Sequence, residues 1–188
     1  WQWPTTEAFF DAYYYIPATE FTVQQTMAPT AFAWGYLAAV DENLTSLPVI
    51  GTNGNDNFVG TNRNDSINGA AGDDVLDGGI GADQLVGGEG DDILIGGYGA
   101  DVLAGGAGRD RFVFSGTFGS DQITDFQGNG VDQIDLAHFK VTFPQLLGVM
   151  TQQGANASID LTGFGGGTIT VHNFSTDDFV EADFMGLS

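Results

Sequence analysis

The sequence predicts an all-β protein whose centre is a right-handed parallel β-roll, a form of β-solenoid. Seven gapless nonapeptides run from Gly51 to Val113, and each of them opens on glycine. The sixth residue is aspartate in every unit, and the eighth is always large and apolar. Because both positions keep the same phase through all seven units, the repeat reflects a repeated structure rather than a glycine-rich composition.

Each nonapeptide predicts one turn followed by one short strand. The glycine-rich first six residues can adopt positive-φ turns that other residues resist. Two nonapeptides complete one coil, so residues 18 apart stack at the strand spacing of roughly 4.8 Å. After a two-residue slip at Phe114 and Ser115, an eighth unit reads GTFGSDQIT. The inward side chains that fill the core are then Phe58, Ile67, Leu76, Leu85, Leu94, Leu103, Phe112 and Ile123.

The stacked aspartates predict a row of metal sites along each edge of the roll. Carboxylates held this close repel one another unless a cation lies between them. With turn carbonyls they form a flexible, all-oxygen ligand set without His or Cys, which favours several calcium ions over zinc or copper. The predicted carboxylate ligands are Asp56, Asp65, Asp74, Asp83, Asp92, Asp101, Asp110 and Asp121. The predicted backbone ligands are the glycines Gly78, Gly81, Gly87, Gly90, Gly96 and Gly99.

From Gly51 to Phe126 the pattern closely resembles G-G-x-G-x-D-x-U-x, the calcium-binding nonapeptide of the RTX (hemolysin-type) family. The resemblance implies a chain that leaves the bacterial cell by type I secretion. Calcium that binds only the folded state would then fold it outside the cell. Arg63 departs from the pattern at the fourth position, and Thr52, Thr61 and Ala70 depart from it at the second. The first two turns are therefore the weakest predicted calcium sites.

Composition excludes several other partners. Twenty-five acidic residues against four basic ones give a formal charge of −21, so nothing can neutralise the phosphates of nucleic acid or of an anionic membrane. A hydrophobic content of 42% argues against disorder. No stretch of about 18 apolar residues predicts a membrane span. There is no cysteine, so bound metal would have to supply the cross-links that disulfides give to other secreted domains.

Residues 1–50 form a separate aromatic segment without a basic residue. The run TTEAFFDAYYYI predicts a short amphipathic helix that Pro17 ends. Two roles are open for this segment. It could cap the N-terminal end of the roll (residues 51–126), or it could be an exposed arm that docks on another subunit. Head-to-tail docking would join copies of the chain into a homopolymeric filament.

Residues 127–188 predict a C-terminal β cap on the roll. GVDQIDL extends the roll, and Asp125, Asp132 and Asp135 are either further ligands or solvated turn acids. A helix is predicted within TFPQLLGVMTQ, and two strands follow on either side of Gly165–Gly167. The last residues cover an open sheet edge, as solenoids require. The family resemblance also implies an uncleaved type I secretion signal here, and both roles are compatible.

The sequence predicts that the chain is not an enzyme. Neither His138 nor His172 lies in H-E-x-x-H, and no G-x-S-x-G nucleophile motif occurs. The first functional class is a secreted structural or adhesive protein that forms a matrix, surface layer or fibre. The second is the C-terminal calcium-binding and secretion module of a larger enzyme or toxin, of the protease, lipase or epimerase type. A glycan-binding module is a third class. The many aromatic residues favour it, but the sequence identifies no flat aromatic platform for a sugar.

Overall fold

The computed structural model describes residues 48–188, so the helix predicted within residues 1–50 lies outside the described residues. Ten short strands form two facing sheets. Odd-numbered strands belong to one sheet and even-numbered strands to the other, so two successive strands make one coil and there are about five coils. The strands are β1 Pro48–Ile50, β2 Asn57–Val59, β3 Ser66–Ala71, β4 Val75–Asp77, β5 Gln84–Glu89, β6 Ile93–Ile95, β7 Val102–Ala107, β8 Arg111–Val113, β9 Ser120–Ile123 and β10 Gln133–Asp135.

Neighbouring strands of each sheet are parallel, and their register follows the nonapeptide. Leu76 lies opposite Leu94 in one sheet, and Ile67 lies opposite Leu85 in the other. This confirms the predicted stacking of residues 18 apart. Each eighth-position side chain is buried, with at most 7% of its surface exposed. Burying a side chain of this size contributes about 1.5–3 kcal/mol, so this single column is the hydrophobic core of the roll.

The roll extends past the regular repeat in both directions. It begins at β1, ahead of the first nonapeptide, where Val49 pairs with Ile67 and packs against the core. After the two-residue slip, Leu103 lies opposite Ile123 and Phe112 lies opposite Ile134. The loops absorb the extra residues, so the inward column continues without a break. The predicted extension by the QID strand is confirmed.

A smaller unit of helix and antiparallel strands follows the roll. Its elements are α1 Phe143–Leu147, β11 Met150–Gln153, β12 Asn156–Asp160, β13 Thr168–Val171 and β14 Phe184–Met185, with 3₁₀ helices at Thr162–Phe164, Thr176–Asp178 and Glu181–Asp183. Strand β13 joins the larger sheet beside β9, and β14 joins the smaller sheet beside β10. All helices in residues 48–188 are too short or too polar to cross a membrane.

Helix α1 is shorter than the segment predicted to contain it. A capping box starts the helix: Thr142 Oγ1 accepts from the Gln145 N–H (3.3 Å), and Gln145 Oε1 accepts from the Thr142 N–H (2.8 Å). Gly148 ends it, and the chain then enters β11 at Met150. Strand β11 was not predicted, because its sequence MTQQ has neither β-branched alternation nor an apolar face.

The end of the roll is covered by an aromatic cluster and one buried carboxylate. Phe174 and Phe179 pack with ring centroids 4.6 Å apart, and Phe179 also contacts Phe184 at 5.2 Å. Asp183 is fully buried. Its Oδ1 accepts from the Gly130 N–H (2.7 Å) and its Oδ2 from the Val180 N–H (2.8 Å). These bonds tie the last strand to the loop before β10.

Candidate metal sites

The sixth-position aspartates form two rows, one along each edge of the roll. One row is Asp56, Asp74, Asp92, Asp110 and Asp132, and the other is Asp65, Asp83, Asp101 and Asp121. Within each row, the Oδ1 of one aspartate accepts a hydrogen bond from the backbone N–H of the aspartate one coil earlier, at 2.7–3.0 Å. The predicted stacking of these residues is therefore present, and the hydrogen bonds to Oδ1 link adjacent coils.

The second carboxylate oxygen is buried and unpaired in most of these residues. These aspartates are at most 1% exposed, and their Oδ2 atoms have no hydrogen-bond partner. A buried charged oxygen without a partner is strongly destabilising, so native proteins rarely leave one uncompensated. The six residues concerned are Asp74, Asp83, Asp92, Asp101, Asp110 and Asp121.

In units 3 to 7 the unpaired oxygen lies beside the first-position glycine, at a point that only the missing side chain leaves open. A Cβ added to Gly69 would overlap Asp74 Oδ2 and would lie 2.7 Å from the carbonyl oxygen of Gly87. A Cβ on Gly78 would lie 2.5 Å from Asp83 Oδ2 and 2.7 Å from the carbonyl oxygen of Gly96. A carboxylate and a carbonyl of the next coil therefore converge where a side chain is missing.

The predicted backbone ligands divide into two groups. The carbonyls of Gly87 and Gly96 lie at the spaces just described, and the Gly78 carbonyl faces Gly60 and Asp65 in the same way. The fourth-position residues Gly81, Gly90 and Gly99 stack instead on the fourth-position backbone one coil earlier: a Cβ on Gly99, for example, would overlap the carbonyl of Gly81. The structure thus brings the first-position carbonyls to the carboxylates and places the fourth-position carbonyls against the next turn.

Burial raises the pKa of the unpaired carboxyls well above the ordinary value of 3.8. The pKa of Asp74, Asp83 and Asp110 rises to about 6. That of Asp121 rises to about 7. Loss of solvation is the main cause, and repulsion from stacked aspartates adds to it, while the bond to Oδ1 opposes both. A cation beside Oδ2 would reverse this balance and favour the charged form.

The donor set fits calcium. No group of three or more His, Cys, Asp or Glu side chains able to hold a metal occurs in residues 48–188, so any ion here must take most of its ligands from the backbone. One carboxylate oxygen with several carbonyl oxygens is the hard, flexible ligand set that calcium accepts. Zinc and copper sites use imidazole or thiolate ligands, and neither faces these spaces.

In three carboxyls of the two rows, Oδ2 accepts hydrogen bonds from protein groups. Asp56 Oδ2 accepts from the N–H (2.6 Å) and hydroxyl (3.0 Å) of Thr52. Asp65 Oδ2 accepts from the same groups of Thr61, at 2.6 and 2.9 Å. Asp132 Oδ2 accepts from the Gln127 N–H at 2.7 Å. Each row therefore begins with an aspartate whose Oδ2 is bonded to protein groups, and one row also ends with such an aspartate.

The acids after the regular repeat are used for backbone hydrogen bonds. Asp125 accepts from the N–H groups of Gly105 (3.0 Å) and Gly106 (2.9 Å), and Asp135 accepts from the Ala137 N–H (3.0 Å). Sequence reasoning left these residues as ligands or solvated acids and missed that Asp132 continues a row. The signal was present, because Asp132 and Ile134 keep the D-x-U spacing of the repeat. Nothing in the sequence marked Asp183.

Fold and site together define a parallel β-roll with stacked carboxylates and turn carbonyls along each edge, a ligand set suited to calcium. A family model for the RTX calcium-binding nonapeptide repeat matches residues 50–85 and 78–112, in four copies. This segment carries RTX calcium-binding nonapeptide repeats, and repeats of this kind bind Ca²⁺ at several sites. No curated protein matches the chain.

Three solved structures are similar to the chain. One subunit of the Azotobacter vinelandii mannuronan C5-epimerase is 25% identical, with a TM-score of 0.49 over 78% of this chain and 86% of that one. A second subunit of the same enzyme is 23% identical, with a TM-score of 0.44 over 78% and 98%. The extracellular lipase of Serratia marcescens is 18% identical, with a TM-score of 0.41 over 75% of this chain and 40% of the lipase.

Proposed function

We propose that the chain is a calcium-gated β-roll that is unfolded at cytosolic calcium and folds outside the cell. The observation that carries this proposal is the set of six buried, unpaired Oδ2 atoms. The proposed ligands are these atoms, with first-position carbonyls, such as those of Gly87 and Gly96, beside them; the Gly78 carbonyl lies beside Asp65 instead. The fourth-position carbonyls of Gly81, Gly90 and Gly99 are proposed as secondary ligands from the same turns.

Calcium is strong enough to decide whether the roll folds. A ligand that binds only the folded state at ~10⁻⁴ M Kd and ~10 mM concentration stabilises it by about 2.7 kcal/mol per site. A few such sites equal the entire stability of an ordinary domain, about 5–15 kcal/mol. At the sub-micromolar calcium of a cytosol this stabilisation vanishes, and only the buried, mutually repelling carboxyls remain.

The test is far-UV circular dichroism of the purified chain, titrated with calcium after chelation. We expect a disordered spectrum in chelator and a β spectrum at millimolar calcium. Magnesium at the same concentration is the control, because it keeps its water shell and demands octahedral geometry, so it should not replace calcium. A β spectrum that is the same with and without calcium would contradict the proposal.

For the whole chain we propose a secreted, non-enzymatic role as an extracellular structural or adhesive protein. RTX repeats are characteristic of type I-secreted extracellular proteins. The two histidines have structural partners: His172 Nε2 contacts Gln122 Oε1 at 2.9 Å, and His138 packs on Phe139. We therefore propose no catalytic role for either histidine.

We propose further that residues 1–47, the part of the aromatic segment ahead of β1, are the arm through which copies join. Strands β1 and β2, the first two of the roll, expose 71% of Ile50 and 50% of Val59, and they follow that segment in the chain. Light scattering on the full chain tests this. Growth into large assemblies with calcium, and not with chelator or magnesium, is the expected result. A compact monomer with calcium would contradict the arm and favour a cap, with the chain acting as a module of a larger protein.

A further inference from the structure

The first two turns of the roll are built differently from the turns that follow. In units 3 to 7 the second residue has a positive φ, for example 78° at Ala70 and 89° at Gly79. The N–H groups of these two residues point away from the carboxylate row and donate to Asn68 Oδ1 (2.9 Å) and Asp77 Oδ1 (3.1 Å). In units 1 and 2 the second residues, Thr52 and Thr61, lack a positive φ, and their N–H groups donate to the aspartate of their own unit.

Side-chain chemistry explains this difference. A β-branched residue strongly disfavours positive φ, so threonine holds the turn in the alternative conformation. That conformation points the backbone N–H at Oδ2, and the hydroxyl adds a second donor. The fourth position changes in the same way: Gly72 and Gly81 have φ of 109° and 154°, whereas neither Gly54 nor Arg63 is among the positive-φ residues.

The eighth unit shows that a threonine at the second position is not sufficient. Oδ2 is occupied only where the threonine donates hydrogen bonds to it. Thr117 also stands at a second position, yet Asp121 Oδ2 is buried and unpaired. Here the preceding two-residue slip changes the turn, and the first residue, Gly116, takes the positive φ of 62°. The threonine donors no longer reach the aspartate, and the carboxyl resembles those of units 3 to 7.

We propose that Thr52 and Thr61 are built-in replacements for calcium. Their N–H and O–H groups occupy Oδ2 of Asp56 and Asp65, so the first two turns of the native chain bind no ion and keep their shape without one. The metal-dependent part of the roll then starts at the third unit. This inference rests on the proposed function, because it assumes that the unpaired Oδ2 atoms of the later units hold calcium.

The sharpest test converts the first turn into a calcium site. Thr52→Gly makes unit 1 match the RTX pattern at every specified position, and the carbonyl of Gly69 already faces the space beside Asp56 Oδ2. Calcium binding to the full chain is counted by equilibrium dialysis. We expect Thr52→Gly to bind one more ion per chain than the native protein. Thr52→Val is the matched control: it keeps the β-branch and the backbone N–H, so the count should not rise.

The second turn supplies an independent version of the same test. Thr61→Gly alone should gain no ion, because Arg63 at the fourth position still resists positive φ. The double variant Thr61→Gly with Arg63→Gly should gain one. If neither Thr52→Gly nor this double variant gains an ion, threonine is not what keeps calcium out of these turns, and the inference is overturned.

Removing the carboxylates separates this inference from the proposed function. Asp56→Asn should leave the calcium count unchanged, whereas Asp92→Asn should lower it by one. A native chain that binds no calcium would reject the proposed function itself. A native chain that binds calcium but loses one ion on Asp56→Asn would reject only the replacement of calcium by threonine. The Asn variants keep this comparison available even if a glycine variant fails to fold.

Discussion

The roll and the C-terminal unit use the same residue, aspartate, in opposite ways. In the roll, one oxygen of Asp92 and of Asp101 accepts a hydrogen bond from the backbone N–H of the preceding coil, and the other oxygen is buried and unpaired. In the C-terminal unit, Asp183 is equally buried but has both oxygens bonded to backbone N–H groups. A buried carboxyl completed by the chain stabilises the fold at any calcium concentration. One left incomplete makes folding depend on a cation.

We expect the largest loss of stability from adding a side chain at a first-position glycine, next to an unpaired oxygen. Gly87→Ala would place a methyl group over Asp92 Oδ2 and 2.5 Å from the Gly105 carbonyl oxygen. We expect a loss of about 3–5 kcal/mol at millimolar calcium, from overpacking together with a lost ion. Gly163→Ala is the control, since nothing lies within 4 Å of its Cβ. Urea unfolding of both variants measures the difference, and equal stabilities would show that the space has no role.

Removing a single charge from a row of aspartates should destabilise the roll less than Gly87→Ala does. Asp92→Asn keeps an oxygen for the Asp74 N–H but loses the negative charge beside the ion, so about 2.7 kcal/mol of calcium-dependent stability should disappear. The neighbouring Asp91→Asn removes an exposed carboxylate that pairs with Arg109, and it should change little. Thermal unfolding at several calcium concentrations distinguishes them. If the two variants show the same calcium dependence, Asp92 is not a ligand.

Asp183 in the C-terminal unit is a buried carboxyl for which no bound ion is proposed. Asp183→Ala leaves the N–H groups of Gly130 and Val180 unpaired, which should cost about 1–3 kcal/mol. Because no ion is proposed there, the calcium count should stay at the native value. A lower count in this variant would mean that the C-terminal unit holds calcium too, and the contrast between the two regions would fail.

Acidity should produce the smallest effect, and only in calcium-free protein. The raised pKa values of about 6 for Asp74 and about 7 for Asp121 mean that the folded roll binds protons more tightly than the unfolded chain does. This contribution to stability is fully present below pH 3.8 and is lost as the pH rises through 6–7. Circular dichroism of calcium-free protein should therefore show more β structure at pH 5 than at pH 8. No change would contradict the burial of these carboxyls.

The sequence predicts the roll well because its repeat couples each residue to the next coil. The phase of Leu76, Leu85 and Leu94 is enough to give the register, the core and the stacking of the aspartates. It does not reveal that Oδ1 is used for the backbone and only Oδ2 remains free, since that depends on turn geometry. Nor does it identify Asp183 or strand β11, whose partners are distant in the chain and follow no period.

The most direct test of the central claim is the number of calcium ions bound by the full chain, measured by equilibrium dialysis at millimolar calcium. The unpaired carboxylate oxygens predict six ions in the roll, and one ion fewer for each of the six aspartates changed to asparagine. A native chain that binds no calcium, or a count that Asp92→Asn leaves unchanged, would contradict the account.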